Sequence, residues 1–234
     1  MKLLVATRND KKLIELRRVL ESAEIEGIEL LSLNDVEEFP ERPEDGRNFE
    51  DNALIKALDG ALATGLPCFA DDSGLSVDEM NGMPGVLSAR WSGGHGDDSA
   101  NNNLLLKQLR DIPAGRRGAA FVSAVVLVNP GGESAGDGIA TDDGHGDSIY
   151  TFRGEWRGRV SDELRGEHGF GYDPLFIPHE EDQRVKAGRD TDKFPEPRSA
   201  AQLDPEDKDE LSHRGRALRQ LIPTIQRLVE TDGN

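Results

Sequence analysis

The chain has 234 residues, one cysteine (Cys68) and a formal net charge of −17, enough length for one large α/β domain or two small lobes sharing a cleft. The acidic balance excludes a non-specific nucleic-acid binder, because phosphate backbones demand a basic footprint, but it allows a nucleotide held by a local group of cations. A lone cysteine cannot form an internal disulfide, and no apolar run reaches transmembrane length.

Lys2 to Thr7 is a short apolar strand, followed by the polar turn Thr7-Arg8-Asn9-Asp10-Lys11-Lys12 and then Leu13, Leu16 and Leu20 at helical spacing. A strand, a tight turn and a helix N-terminus favour an anion, and Thr7, Asn9 and Lys12 can donate to phosphate oxygens. The Walker glycine pattern is missing, so this is not a standard P-loop; a capped helix with surface lysines fits this stretch alone as well. Ile28 to Leu33 reads as a second strand, Glu37 to Arg47 as an acidic exposed loop, and Phe49 to Thr64 as a helix capped by Asn48. Glu44 lies just ahead of that helix; Asn52 and Lys56, four apart, share one of its faces.

Pro67 to Ala70 is a short apolar run that ends in Asp71 and Asp72, with Ser73 and Gly74 after it. It reads as a buried strand ending in a sharp turn, its two carboxylates pointing to opposite sides. Paired acids at a strand end suit Mg²⁺, although an Asx-type turn with solvated acids fits the pair alone equally well. Asn81 to Gly85 is a tight turn. Arg90, beside Trp91, can clamp a phosphate or stack on the indole, and Asp97 to Arg110 is a helix capped by Asp98 or Ser99.

Ala119 to Asn129 is the strongest strand and reads as central. Pro130 to Asp147 is rich in Gly, Asp and Ser and reads as a mobile acidic insert, after which strand character resumes over Ser148 to Arg159. In Phe170-Gly171-Tyr172-Asp173 the glycine permits close backbone approach, the rings can stack, and Asp173 can accept a hydrogen bond, a combination suited to a planar base. Leu175 to Ile177 is a short strand, His179 to Pro197 a second charged insert, and Asp204 to Leu211 a short helix. Lys208, His213 and Arg214 add positive charge near the closing amphipathic helix, which runs to about Val229.

Taken together and in order, Ala6 to Lys12, Glu44-Asp45-Gly46 with Phe49 to Lys56, Ala70 to Gly74, Pro84-Gly85 with Ser88 to Gly93, Phe170 to Pro174 and Ser212 to Gly215 resemble the inosine triphosphate pyrophosphatase family. The resemblance spans almost the whole chain. It implies an α/β fold with a long twisted mixed β-sheet flanked by helices, two lobes with a central active-site cleft, and a homodimer. It also implies Mg²⁺-dependent cleavage of non-standard purine nucleoside triphosphates (ITP, dITP, XTP) to the monophosphate and pyrophosphate. By position, Thr7, Arg8, Asn9, Asp10, Lys11 and Lys12, with Lys56, Ser73 and Lys208, match phosphate-side residues. Glu44 and Asp72 match the metal-binding acids, and Asp72 the catalytic proton acceptor. Phe170, Gly171, Tyr172, Asp173, His213 and Arg214 match the base pocket; Asp71, Asn52 and Arg90 are supporting residues.

Arg8 stands where that family usually has glycine, Arg198 stands where lysine is common, and both inserts are longer than usual. The acid excess is spread along the chain, as on proteins that remain soluble in a high-salt cytoplasm. A reducing, cytoplasmic location with no nucleic-acid or membrane partner is expected. Two alternatives compete: a Maf-type nucleotide pyrophosphatase that prefers pyrimidine or modified bases, and a non-catalytic nucleotide sensor.

Overall fold

The structure, a computed structural model, describes residues 1–131, 139–142 and 147–232. The first expected insert, 130–147, falls largely outside the described residues, as do the side chains of Asp10 and Lys11. Strands β1 (Lys2–Val5), β2 (Glu29–Ser32), β3 (Cys68–Val77), β4 (Gly118–Asn129), β5 (Ile139–Asp142), β6 (Ser148–Val160) and β7 (Phe176–Pro178) build one sheet in the order β2-β1-β3-β4-β6-β5, with β7 also on β6. The sheet is mixed: β1 is parallel to β2 and β3, whereas β5 and β7 run antiparallel to β6. The helices are α1 (Asp10–Ser22), α2 (Phe49–Thr64), α3 (Asp98–Leu109), α4 (His179–Lys186), α5 (Pro205–Leu211) and α6 (His213–Asp232). This is the helix-flanked mixed sheet that the family resemblance implies. Among the described residues, no helix is long and apolar enough to cross a membrane.

The chain divides into two compact units. The first holds Met1–Asp72, Ser123–Gly154 and Arg214–Asn234; the second holds Ser73–Val122 and Glu155–His213. Strand alternation organises the first unit. Leu3 and Val5 of β1, Phe69 of β3, Val125 and Leu127 of β4, and Tyr150 and Phe152 of β6 pack against Leu16 and Leu20 of α1 and Leu218, Leu221 and Ile225 of α6. The alternate residues Leu4, Cys68, Ala70, Val126, Val128 and Ile149 pack on Ala53, Ala57 and Ala61 of α2. The small alanine face lets α2 lie close to the sheet. There the buried Cys68 thiol is pushed up to about 12 by desolvation, so it carries no thiolate chemistry at neutral pH.

In the second unit, Leu75 and Val77 of β3, Leu105 and Leu109 of α3, Trp156 and Val160 of β6, and Leu175 and Phe176 form the core. Phe176 packs between Phe121 and Trp156, with centroids 4.7 and 5.3 Å away. The stretch expected as a second insert, 179–197, begins with helix α4. Buried Arg184 donates from Nε to Glu181 Oε2 (2.9 Å), and to the carbonyls of Arg189, Phe194 and Glu196 at 2.9–3.0 Å. Arg198 closes the cluster with a 2.7 Å bond to Glu181 Oε1 and a guanidinium 4.5 Å from the Phe194 centroid.

Three local expectations are corrected. β3 does not turn after Asp72 but runs unbroken to Val77. Gly74 is required there by contact, since a Cβ would run into Ser88 Oγ and the Gly85 carbonyl. Helix α3 is capped by Asp97, whose side chain accepts from Ala100 N–H, rather than by Asp98 or Ser99. The closing helix begins at His213 and extends to Asp232.

Candidate active site

In the first unit, the alternation of β3 decides where its two acids point. Asp71 follows Phe69 on the α1/α6 side, and Asp72 follows Ala70 on the α2 side. Asp71, 4% exposed, accepts from Lys12 Nζ of α1 at 2.8 Å and from Arg214 Nε of α6 at 3.2 Å. Burial alone would raise its pKa, but the charges of Lys12, Arg214 and Lys56 more than offset that and hold the carboxyl well below the usual range. Desolvation in turn lowers Lys12 from the ordinary lysine value, although Asp71 opposes the shift.

Asp72 meets α2 instead. Asn52, fully buried, donates from Nδ2 to Asp72 Oδ2 (3.0 Å), and its Oδ1 accepts from Gly46 N–H (2.8 Å). One carboxamide therefore ties the catalytic-type acid to the loop that carries Glu44. Lys56 Nζ lies 3.7 Å from Asp72 Oδ1 and 3.6 Å from Glu44 Oε1, and donates to the Asp71 carbonyl at 2.8 Å. Desolvation raises the Asp72 carboxyl above its usual value, with Lys56 and the Asn52 bond opposing.

Two carboxylates converging on one ammonium also suit a hard divalent cation. Among the described residues, no three His, Cys, Asp or Glu side chains gather to hold a metal alone. A cation at Glu44 and Asp72 would therefore complete its shell with water and ligand oxygens, the usual arrangement for Mg²⁺.

At the phosphate-type turn, Thr7 Oγ1 accepts from Asn9 N–H (3.1 Å), and the Asn9 carbonyl accepts from Lys12 N–H (3.1 Å). Arg8 turns to Glu41, 2.6 Å away, so its charge ties the turn to the acidic loop. Arg90, half-buried, ends the 3-10 turn Gly85–Arg90, and Trp91 beside it donates from Nε1 to Gln108 (2.9 Å). Half-buried Ser73 directly follows Asp72 on β3.

The remaining candidate residues, Arg214 apart, belong to the second unit. Phe170 is a large exposed ring (56%), with Lys208 Nζ 5.1 Å from its centroid. Asp173 Oδ2 accepts from Phe170 N–H (2.8 Å) and from Lys208 Nζ (2.5 Å). Lys208, expected on the phosphate side, is thus placed with the base-type loop. Tyr172 is not a stacking surface here: it is 3% exposed in the core and donates from its hydroxyl to the Ser88 carbonyl (2.9 Å). Burial, with the Asp98 charge adding, keeps that hydroxyl protonated. His213 stacks on Phe121, centroids 5.0 Å apart. Arg214, expected with His213 at the base, donates its Nε–H to Asp71.

Of two further residues at the loop, the sequence reading placed Asp98 only as a helix cap and did not single out Asn102. Asp98 Oδ2 accepts from Gly171 N–H (2.6 Å), and Asn102 Nδ2 donates to the Gly171 carbonyl (2.7 Å). The available signal was the run Asn101-Asn102-Asn103 inside a helix, where asparagine is a poor former unless a tertiary contact employs it.

Comparison with known proteins agrees with this layout along the chain. A protein of Nocardia farcinica named dITP/XTP pyrophosphatase is 54% identical over 229 residues, covering 98% of this chain and 97% of its own length. The crystal structure of the nucleoside-triphosphatase / dITP/XTP pyrophosphatase of Mycobacterium abscessus superposes with a TM-score of 0.71 at 53% identity, covering 96% of this chain and all of that one (100%). A HAM1 protein of Coxiella burnetii, at 31% identity, gives a TM-score of 0.76 over 97% of this chain and 99% of its own. The Ham1 family profile matches residues 3–224, from the first strand through most of the last helix. With every segment that bears a candidate site residue inside that match, the chain belongs to the Ham1 family.

Proposed function

We propose that this protein hydrolyses non-standard purine nucleoside triphosphates (ITP, dITP and XTP) to the nucleoside monophosphate and pyrophosphate. The observation that carries the reading is the convergence of Glu44, Lys56 and Asp72, with Asn52 fixing one Asp72 oxygen. The names of relatives that match nearly the whole chain support the substrate class.

Thr7, Asn9 and Lys56 take phosphate oxygens; Lys12 contributes its charge from beside Asp71. Glu44 and Asp72 would hold Mg²⁺, which when bound neutralises phosphate charge and so favours attack on an anionic phosphorus. With Asn52 donating to its Oδ2, the Asp72 carboxylate is the proton acceptor. A water oxygen bonds to the α-phosphorus, its proton passes to Asp72, and the bond from that phosphorus to the bridging oxygen breaks. The electron pair leaves with pyrophosphate. In the absence of a bound cation, desolvation raises the Asp72 carboxyl above its usual value.

The exposed Phe170 ring offers a stacking face for the base. Hypoxanthine presents an acceptor at O6 and a donor at N1, the reverse of adenine, so donors from the His213 segment pair with hypoxanthine and are left unpaired by adenine. The family resemblance adds a homodimer and a cytoplasmic setting. The test is Asp72→Asn: ITP binding by calorimetry is retained, and turnover falls by a factor of about 10²–10⁴. Near-full turnover in that variant refutes the mechanism.

A further inference from the structure

Helix α3 grips one residue of the base-type loop by both of its backbone polar groups. Asp98 and Asn102 are four apart and so share a helical face. The first takes the Gly171 N–H (2.6 Å) and the second donates to the Gly171 carbonyl (2.7 Å). Asn102 is itself 4% exposed, and its Nδ2 also donates to the Asp98 carbonyl (2.8 Å), which fixes the carboxamide.

The loop needs such a grip. Gly169 and Gly171 flank Phe170 with φ of +85° and +60°, a region open to glycine and therefore to wide backbone motion. Phe170 carries its ring into solvent at 56% exposure, so few side-chain contacts hold it. The loop's other ties include Asp173, which accepts from Phe170 N–H and Lys208 Nζ and donates its N–H to the Phe170 carbonyl (3.3 Å), and Tyr172, whose hydroxyl reaches Ser88. None of these bonds to the N–H or the carbonyl of Gly171. Ordering one such residue at the moment of binding weakens affinity by about tenfold, and a loop ordered beforehand avoids that loss.

We infer that Asp98 and Asn102 are positioning residues for base recognition: by clamping Gly171 they hold Phe170 and Asp173 in the binding arrangement before substrate arrives. The inference rests on the reading of Phe170–Asp173 as the base pocket. It touches no group that takes part in phosphorus chemistry, so it acts on substrate affinity and base selectivity rather than on turnover.

Steady-state kinetics with dITP and dATP on Asp98→Ala, Asp98→Asn and Phe170→Ala test it. Asp98 is exposed in the first turn of α3 and Asp97 remains as the cap, so these variants keep the helix. Asp98→Ala is expected to raise KM for dITP about tenfold with kcat within about twofold, and to lower the dITP/dATP ratio of kcat/KM. Asp98→Asn retains an acceptor for Gly171 N–H and is expected to recover most of the loss. If Phe170→Ala raises KM but Asp98→Ala does not, the clamp is refuted and the base pocket stands. If Phe170→Ala leaves KM unchanged, the base-pocket reading fails and the clamp falls with it. If Asp98→Asn matches Asp98→Ala, the effect follows charge and the clamp is refuted.

Discussion

Asp71→Asn keeps the shape of the buried side chain and removes its charge. The carboxylate is 3% exposed and sits 2.8 Å from Lys12 Nζ and 3.2 Å from Arg214 Nε. At an effective dielectric of about 20 these pairs are worth roughly 6 and 5 kcal/mol of gross attraction, most of it offset by desolvation of the ions. Breaking such a group by removing the charge of its buried partner typically costs about 3–5 kcal/mol. With an unfolding entropy of about 2.1 cal/mol/K per residue over the 234 residues, a loss of about 4 kcal/mol lowers Tm by roughly 8 °C. Circular-dichroism melts of wild type and variant at pH 7 measure this. The folded pKa of Asp71 is depressed, so its stabilisation is present above the ordinary carboxylate value and disappears as pH falls below it. The gap between the two Tm values should therefore close under acid. A variant melting within about 2 °C of wild type at pH 7 would refute the claim that Asp71 carries the charge balance of the first unit.

Glu181 has the same sign: burial raises its pKa, but Arg198 and Arg184 bring it down to about 2. Its contribution, present above pH ~4.5, is lost as pH falls towards 2, so a urea titration of Glu181→Gln should match wild type only at the acid end. Gly74→Ala forces a Cβ into Ser88 Oγ and the Gly85 carbonyl and should destabilise by about 1–3 kcal/mol; an unchanged midpoint in denaturant contradicts the packing. With a net charge of −17, self-repulsion should be screened by salt, so Tm should rise from low to molar KCl, and a flat response would argue against a salt-adapted surface.

The elements that sequence patterning located best were those with enough apolar residues to declare a period: the alanine-lined α2, the uninterrupted β4 and the closing α6. Where the pattern misled, a tertiary contact had overridden local chemistry. Asp-Asp-Ser-Gly reads as a turn because two carboxylates inside a strand need neutralising partners, and those partners arrive from elsewhere along the chain, Lys12 and Arg214 for Asp71 and Lys56 for Asp72. The family resemblance brought Glu44, Lys56 and Asp72 together as site residues, and the fold gathers them in the first unit. It could not say which side of the backbone each neighbour faces. Tyr172 turns into the core while Phe170, two residues earlier, stays in solvent. Arg214 serves Asp71, although His213 beside it stacks on Phe121. Asp98 and Asn102 carried no signature beyond poor helix propensity, since a backbone clamp leaves no motif of its own.

The most direct test of the account is to incubate the purified protein with Mg²⁺ and ITP, dITP, XTP, GTP or ATP, quantifying pyrophosphate and orthophosphate separately. Pyrophosphate from ITP, dITP and XTP, with little turnover of GTP or ATP, is the predicted result. Orthophosphate release would place the attack at the γ-phosphate and contradict the assignment of Asp72 to the α-phosphorus.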